Sequence, residues 1–352
     1  MATTEPVLQI EELRTVFHTD DGLVRAAEGV SYDLYPGETL AVVGESGSGK
    51  SVTALSVLRL IEEPPGEIVS GHIIFGGEDL TALSERELRR IRGRRISMIF
   101  QEPMTSLNPV HTIGRQIMEP MLLHRLYGRR EARRRAVELL RRVGIPAPEQ
   151  RMNEYPHQLS GGMRQRVMIA IALACDPEIV IADEPTSALD VTVQLQILRL
   201  LKDLQEQLGM AVILITHDLG VVAEVADRVA VMYAGRVVES GTVEEIYYGA
   251  VHPYVEGLRA SIPDLGEKTR RLPVIPGQVP DASRLPEGCP FAPRCTYVME
   301  RCRREDPPTT KVSPGHHVRC WLNDPETVEA QQAGAPPGGA AVQDGGQGGA
   351  GE

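Results

Sequence analysis

The chain has 352 residues, 42% of them apolar and 24% charged, which is enough to bury a large core and to form two domains, or one large domain with an appendix. Its net charge of −11 argues against a general nucleic-acid binder, for which a basic balance would be expected. No basic start or apolar run marks the first residues as a leader, and the longest apolar stretch, Val167 to Cys175, is far short of the roughly 20 residues a spanning helix needs. These features read as a cytosolic chain, in a compartment where disulfides are not maintained.

Strand and helix patterns alternate from about residue 7 to residue 262. The apolar run TLAVVG (39–44) leads directly into GESGSGKS, Gly44 to Ser51, which opens a helix over 50–60 and matches G-x-x-x-x-G-K-[ST]. In such a loop (Gly44, Glu45, Ser46, Gly47, Ser48, Gly49, Lys50, Ser51) the glycines let successive N–H groups turn inward around phosphate oxygens. The helix N-terminus adds its positive dipole end. Lys50 would reach the β- and γ-phosphates and Ser51 would ligate Mg²⁺. Lysine otherwise occurs only at 202, 268 and 311, so position 50 stands out. A Gly/Ser loop with an accidental lysine is the alternative, disfavoured by the strand before it and the helix after it.

Next comes the Arg-rich run ERELRRIRGRR (85–95), which reads as a solvated helix face, with proximity to anionic lipid headgroups as the minor alternative. The strand ISMIF (96–100) leads to Gln101. Two helical patterns, 113–124 and 129–143, then occur with no strong strand between them, which indicates a helical insertion into an α/β core. LSGGMRQR (159–166) is a second glycine turn opening a helix over 160–175. Ser160 suits the N-cap, and Gly161 and Gly162 permit close approach at a positive helix end. Taken alone, SGG is merely a helix start. Cys175 reads as a small core residue.

EIVIAD (178–183) is a nearly continuous apolar strand ending in Asp183, which could hold Mg²⁺, and Glu184, placed to polarise an attacking water. The alternative is a solvated strand end. A helix over 193–208, the strands AVILIT (211–216) and VAVMY (229–233), and His217 between those strands complete the alternation. His217 sits where a parallel sheet places ligand-binding loops.

From Pro263 the texture becomes Pro-rich and irregular, and from about Asp324 it reads as a disordered tail. Between them lies Cys289-x5-Cys295-x6-Cys302-x17-Cys320, whereas the rest of the chain has only Cys175. In a reducing compartment four thiols favour metal over disulfides. The tight C-x₂₋₄-C pairs usual for zinc are missing, and wider loops with Pro290 and Pro293 better suit a [4Fe–4S] cluster; zinc and unmetallated thiols stay open as alternatives. Ligation would staple a segment that has little core.

Taken in order, GESGSGKS, Gln101, LSGGM, IVIADE, SALD (187–190) and His217 resemble the ATP-binding cassette (ABC) family over residues 7–250. The resemblance implies an α/β fold: an ABC ATPase (P-loop NTPase) core with a mixed sheet, a helical subdomain and a small irregular Cys-rich C-terminal extension. In that family two cassettes pack head to tail, and ATP is clamped between the phosphate loop of one and the signature turn of the other. Ser160, Gly161 and Gly162 would then hold the γ-phosphate on a second chain. Glu184 would be the general base, Gln101 would link Mg²⁺ and the attacking water to the transmembrane contact, and His217 would touch the γ-phosphate. Asp183 and Ser51 would hold Mg²⁺, and Asp190 would belong to the dimer-contact loop. Phe17 is the best match for an adenine-stacking aromatic, with His18 a poorer one. Met163 stands where Gln is commoner, so no role is carried over for that side chain.

Longer stretches, FQEPMTSLNP (100–109), NEYPHQLSGGMRQRVMIAIAL (153–173), HPYVEGLRASIP (252–263) and RLPVIPGQVP (271–280), are similar to importers of dipeptides, oligopeptides and, in some members, nickel. This implies a nucleotide-binding domain over 1–262 with its helical subdomain at about 101–176. An extension over 263–323, where such members are expected to carry an iron–sulfur cluster, and a tail over 324–352 would follow. The implied partners are a second ATPase subunit, typically a paralogue, two transmembrane permease subunits and an extracytoplasmic binding protein. No nucleic acid is expected. The chain would sit peripherally on the cytoplasmic face of the cell membrane and drive peptide import. Nickel, glutathione or short oligosaccharides are alternative cargoes. Two other classes are a soluble ABC ATPase of DNA repair or translation, and an iron–sulfur protein with a vestigial nucleotide site. The first usually has coiled-coil arms or two cassettes per chain; the intact Lys50, Asp183, Glu184 and His217 speak against the second.

Overall fold

The computed structural model describes residues 5–102, 106–187, 189–262, 273–325 and 327–328. Pro103 to Thr105 and Ala188 within the motifs, the ends of two longer family stretches (Pro263, Arg271 and Leu272), and most of the expected tail lie outside the described residues. In chain order come β1 (Leu8–Thr19), β2 (Gly22–Leu34), β3 (Thr39–Val43), α1 (Lys50–Val57), β4 (Gly66–Phe75), β5 (Glu78–Asp79), α2 (Glu85–Ile91) and β6 (Ile96–Ile99). Four helices follow: α3 (Ile113–Leu123), α4 (Arg129–Arg142), the short α5 (Pro148–Arg151) and α6 (Gly161–Ala172). Then come β7 (Ile179–Asp183), α7 (Val191–Leu208), β8 (Ala211–Thr216), α8 (Leu219–Val225), β9 (Arg228–Tyr233), β10 (Arg236–Thr242), α9 (Val243–Tyr248) and α10 (Pro253–Ala260). Helix α11 (Glu300–Arg304) and the strands β11 (Thr309–Ser313) and β12 (His316–Arg319) close the order.

Strands that read as continuous apolar runs are buried on both faces, because alternate side chains enter different cores. In β3, Leu40 and Val42 pack with Leu8, Ile73 and Phe75 of an antiparallel sheet ordered β2-β1-β4-β5. Ala41 and Val43 face the other way, onto Val229, Val231, Tyr254 and Phe291. Strand β7 does the same: Ile179 and Ile181 join the first core, while Val180 and Ala182 join a helical core with Ile117, Leu140, Ile169 and Leu201. The principal sheet runs β11-β12-β10-β9-β3-β8-β7-β6. Its pairs from β9 to β6 through β3 are parallel and those from β9 to β11 antiparallel, so the expected mixed sheet is present.

The helical insertion forms between β6 and β7. Helix α4 buries Ala132, Ala136, Leu139 and Leu140, one stripe at helical spacing, and turns Arg129, Arg130, Arg133 and Arg134 outward. In α2, Leu88 and Ile91 are buried and Arg86, Arg89 and Arg90 exposed, in keeping with a solvated face for that Arg-rich run. No helix among the described residues is long and apolar enough to cross a membrane.

The region after Ile262 is less irregular than its composition suggests. Strand β12 pairs antiparallel with β10 (Glu239↔Val318, Ser240↔His317), so the terminal hairpin continues the main sheet. Beneath this seam Glu239 is fully buried. It accepts hydrogen bonds from His316 Nε2 at 2.8 Å, Val251 N at 3.0 Å and His252 N at 2.9 Å. Burial pushes its carboxyl above the ordinary range, and these donors hold it down in part.

Candidate active site

The parallel strands β3, β6, β7 and β8 deliver their following loops to one edge of the sheet, as doubly wound sheets do. After β3 the chain turns through the glycine loop into α1. Gly49 has φ 96°, and a side chain there would collide with the carbonyl oxygen of Ala26; one at Gly44 would collide with that of Met232. Glycine is thus required by packing as well as by turn geometry. Lys50 is buried, and its Nζ donates to Gly44 O at 2.8 Å and Glu45 O at 3.0 Å. Desolvation lowers its pKa, opposed by the carboxylates of Glu184, Asp183 and Glu45.

Asp183, at the end of β7, is buried and accepts from Ser51 Oγ at 2.9 Å. Burial pushes its carboxyl upward while the Ser51 bond and Lys50 oppose that shift. A hydroxyl beside a desolvated carboxylate is an oxygen-donor pair that a hard divalent cation suits. Their chemistry therefore fits Mg²⁺.

Glu184 follows with φ 42°, an uncommon conformation for a residue with a side chain, and its N–H donates to Ile215 O at 3.0 Å. Its carboxylate is the meeting point of two more loops. Gln101 Nε2, after β6, donates to Oε2 at 3.0 Å, and His217 Nδ1, after β8, lies 3.5 Å from Oε1. Two residues far apart in sequence thus converge on the carboxylate of Glu184, beside Lys50 and Asp183.

The other expected site residues are not in this cluster. Phe17 is half-buried on β1, opposite Val24 of β2 and Gly66 of β4, while the neighbouring His18 pairs with Glu67 at 3.1 Å. Ser160 is exposed and caps α6, its Oγ accepting from Met163 N at 3.3 Å. Asp190 caps α7, its Oδ1 accepting from Val193 N at 3.1 Å. The two caps are neighbours: a Cβ on Gly161 would touch Leu189 at 3.7 Å, and one on Gly162 would lie 3.1 Å from Val193.

Two residues of the site escaped the sequence reading. Tyr254 Oη accepts from the backbone N–H of Glu45 at 3.1 Å, and Arg294 Nη1 donates to both Glu45 carboxylate oxygens at 3.2 and 3.0 Å. Tyr254 lies in HPYVEG, legible only as a family mark, and Arg294 in CPFAPRC, read only for its cysteines; no local pattern tells that either touches the phosphate loop.

The expectation of an iron–sulfur cluster, with zinc as runner-up, is corrected. Among the described residues no group of three or more His, Cys, Asp or Glu side chains could hold a metal ion. Cys289, Cys295, Cys302 and Cys320 line a cavity of ≈ 20 Å³ together with Phe291, Ala292 and Trp321, room for about one water. Burial pushes the thiols of Cys289 up to about 11 and of Cys320 up to about 12. The thiols pack as small apolar groups. The extension is instead held by the β10–β12 pairing, the buried Glu239–His316 contact, and an aromatic cluster of Tyr233, Tyr254 and Phe291 with centroids 4.6 to 5.5 Å apart.

The ABC transporter family model matches residues 27–187, and that of the oligopeptide/dipeptide transporter C-terminal region matches residues 238–302. The chain is 53% identical over 328 residues to the oligopeptide transport ATP-binding protein OppD of Bacillus subtilis (strain 168), covering 92% of this chain and 91% of that one. To the dipeptide transport ATP-binding protein DppD of the same organism it is 51% identical over 330 residues, 94% of this chain and 98% of that one. A similar solved structure is the dimeric post-hydrolysis state of the ATP-binding cassette MJ0796 bound to ADP and Pi. Its TM-score is 0.60 at 30% identity, covering 67% of this chain and 98% of that one.

Proposed function

We propose a division of labour among the residues of this chain, which belongs to the ABC transporter family as an ATP-binding subunit of the oligopeptide/dipeptide importers. The subunit uses ATP and Mg²⁺, and its hydrolysis of ATP energises peptide import from a peripheral position on the cytoplasmic face of the membrane. The observation that carries the reading is the convergence of Gln101 and His217 on Glu184, beside Lys50, Ser51 and Asp183.

In this reading the backbone N–H groups of the Gly44–Ser51 loop, other than those of Glu45 and Ser48, which donate to Tyr254 Oη and Glu45 O, cradle the phosphates, and Lys50 leaves its two carbonyl partners for the β- and γ-phosphate oxygens. Ser51, Asp183 and Gln101 would hold Mg²⁺, which supplies charge neutralisation at the phosphate oxygens. Glu184 takes the proton of the attacking water, Gln101 orients that water, and the exposed His217 donates to the γ-phosphate. Phe17 stacks on the adenine. Ser160, Gly161 and Gly162, at an exposed helix N-terminus, complete the pocket of a second cassette, and Asp190 beside them serves the same contact. The dimeric state of MJ0796 supports such an arrangement for a cassette of this fold.

The second cassette is a paralogue, the permease partners are two transmembrane subunits, and an extracytoplasmic binding protein delivers the cargo. We assign the nucleotide-binding domain to 1–262, with its helical subdomain at about 101–176. The extension spans 263–323 and the tail 324–352. The test is Glu184→Gln in the assembled transporter. ATP binding should persist while ATP hydrolysis and peptide uptake both fall by about 10² to 10⁴. Turnover near that of the unaltered protein would remove Glu184 from the base role and the mechanism with it.

A further inference from the structure

Glu45 is the second residue of the phosphate loop and its only acidic one, sited where a triphosphate's charge would gather. All its polar groups are taken. Its carbonyl accepts from Lys50 Nζ at 3.0 Å, its N–H donates to Tyr254 Oη at 3.1 Å, and its carboxylate accepts from Arg294 Nη1 at 3.0 and 3.2 Å. Arg294 comes from the extension, with a side chain only 5% exposed. It is held on three further sides. Nε donates to Pro276 O at 2.9 Å, Nη2 to Ile275 O at 3.4 Å, and the guanidinium lies 5.7 Å from the Tyr233 ring and 5.9 Å from that of Phe291. Gly277, with φ 80°, lets the backbone pass against it: a Cβ there would lie 3.3 Å from Arg294 Cγ.

An arginine so confined cannot follow the loop; the loop is held to it. We propose that Arg294 is a positioning residue for ATP binding: it clamps Glu45, cancels its charge at the mouth of the phosphate cradle, and makes the extension part of the nucleotide site. Without the clamp, a free carboxylate on the loop would repel the phosphates and release the start of the turn whose carbonyls hold Lys50. The extension and the nucleotide are then coupled, and by reciprocity each stabilises the state that favours the other. The inference rests on the assignment of Gly44–Ser51 to ATP.

The test measures ATP affinity and steady-state hydrolysis on the full chain in its assembled complex. Arg294→Met should raise Kd and KM for ATP about five- to tenfold with kcat changed less than about twofold, and Arg294→Lys should recover most of the loss. Adding Glu45→Gln to Arg294→Met should return Kd to within about twofold of the unaltered protein, because the repelling charge is gone. An anchor of the extension alone would lower Tm without this split, and Glu45→Gln would not rescue it. Amide exchange in the Glu184→Gln protein should show residues 289–295 more protected with ATP than without, a readout that stands even if Arg294→Met fails to fold. An unchanged Kd in Arg294→Met, an absent rescue, or exchange in 289–295 indifferent to ATP would each overturn the proposal. Lys50→Ala is the control. If it too leaves ATP affinity unchanged, the assignment of the loop fails; if it abolishes binding while Arg294 variants are silent, only the clamp fails.

Discussion

His252 is 1% exposed, caps α10 through Nδ1, which accepts from Tyr254 N at 3.0 Å, and packs its ring 5.7 Å from that of Phe291. Burial pushes its pKa down from 6.5 to about 3. The unfolded chain therefore binds a proton at this ring more readily than the folded one throughout the window between those values. Stability contributed by the neutral ring is complete above pH 6.5 and is lost as pH falls toward 3. At pH 5 the unfolded ring is mostly protonated and the folded one is not, and the linkage integral comes to about 2 kcal/mol, with a ceiling near 5 kcal/mol at the acid end. The neighbouring Glu239 works in the opposite sense, since its raised pKa makes the folded state take up a proton on acidification. The measurement is therefore a difference. Urea unfolding of the full chain at pH 7.5 and 5 should be compared with His252→Asn, whose amide oxygen can still accept from Tyr254 N and which does not titrate. The unaltered protein should lose about 2 kcal/mol more than the variant between the two pH values. Parallel losses, or a His252 ring titrating above about pH 5 by NMR, would refute the reasoning.

Gly49→Ala should abolish ATP binding while sparing most of the fold, because the added Cβ meets Ala26 O at a backbone of φ 96° and only the loop can give way; equilibrium dialysis with ATP checks it. The thiols of Cys289 and Cys320, held at about 11 and about 12, should resist a thiol-disulfide reagent at pH 8 in the folded protein and react at once in denaturant. Rapid native labelling of either would refute this protection.

The phosphate loop, the Asp183–Glu184 pair and the alternation of strands and helices were legible because each is local. A glycine at positive φ, an apolar strand feeding a helix N-terminus, and a carboxylate after a buried strand all carry their physics within about ten residues. Even Gln101 and His217 could be placed at strand ends, since parallel strands of one sheet bring their following loops to the same edge. The cysteines show the limit. Their spacing and company pointed to a metal, yet spacing says nothing about whether four sulfurs surround a void large enough for one, and here they close on space for about a water.

By itself the chain's order of residues determined the chemistry on offer: a cradle for phosphates, an acid pair at a strand end, an N-terminal turn rich in glycine. Only the tertiary structure decided what holds that chemistry in place. Arg294 and Glu45 stand 249 positions apart, as Glu239 and His316 stand 77 apart, and neither contact has a local signal to announce it. A charge buried without a partner is costly, so such pairs form only when folding brings both members out of water together. That condition belongs to the packed molecule, and no shorter segment of it can express it.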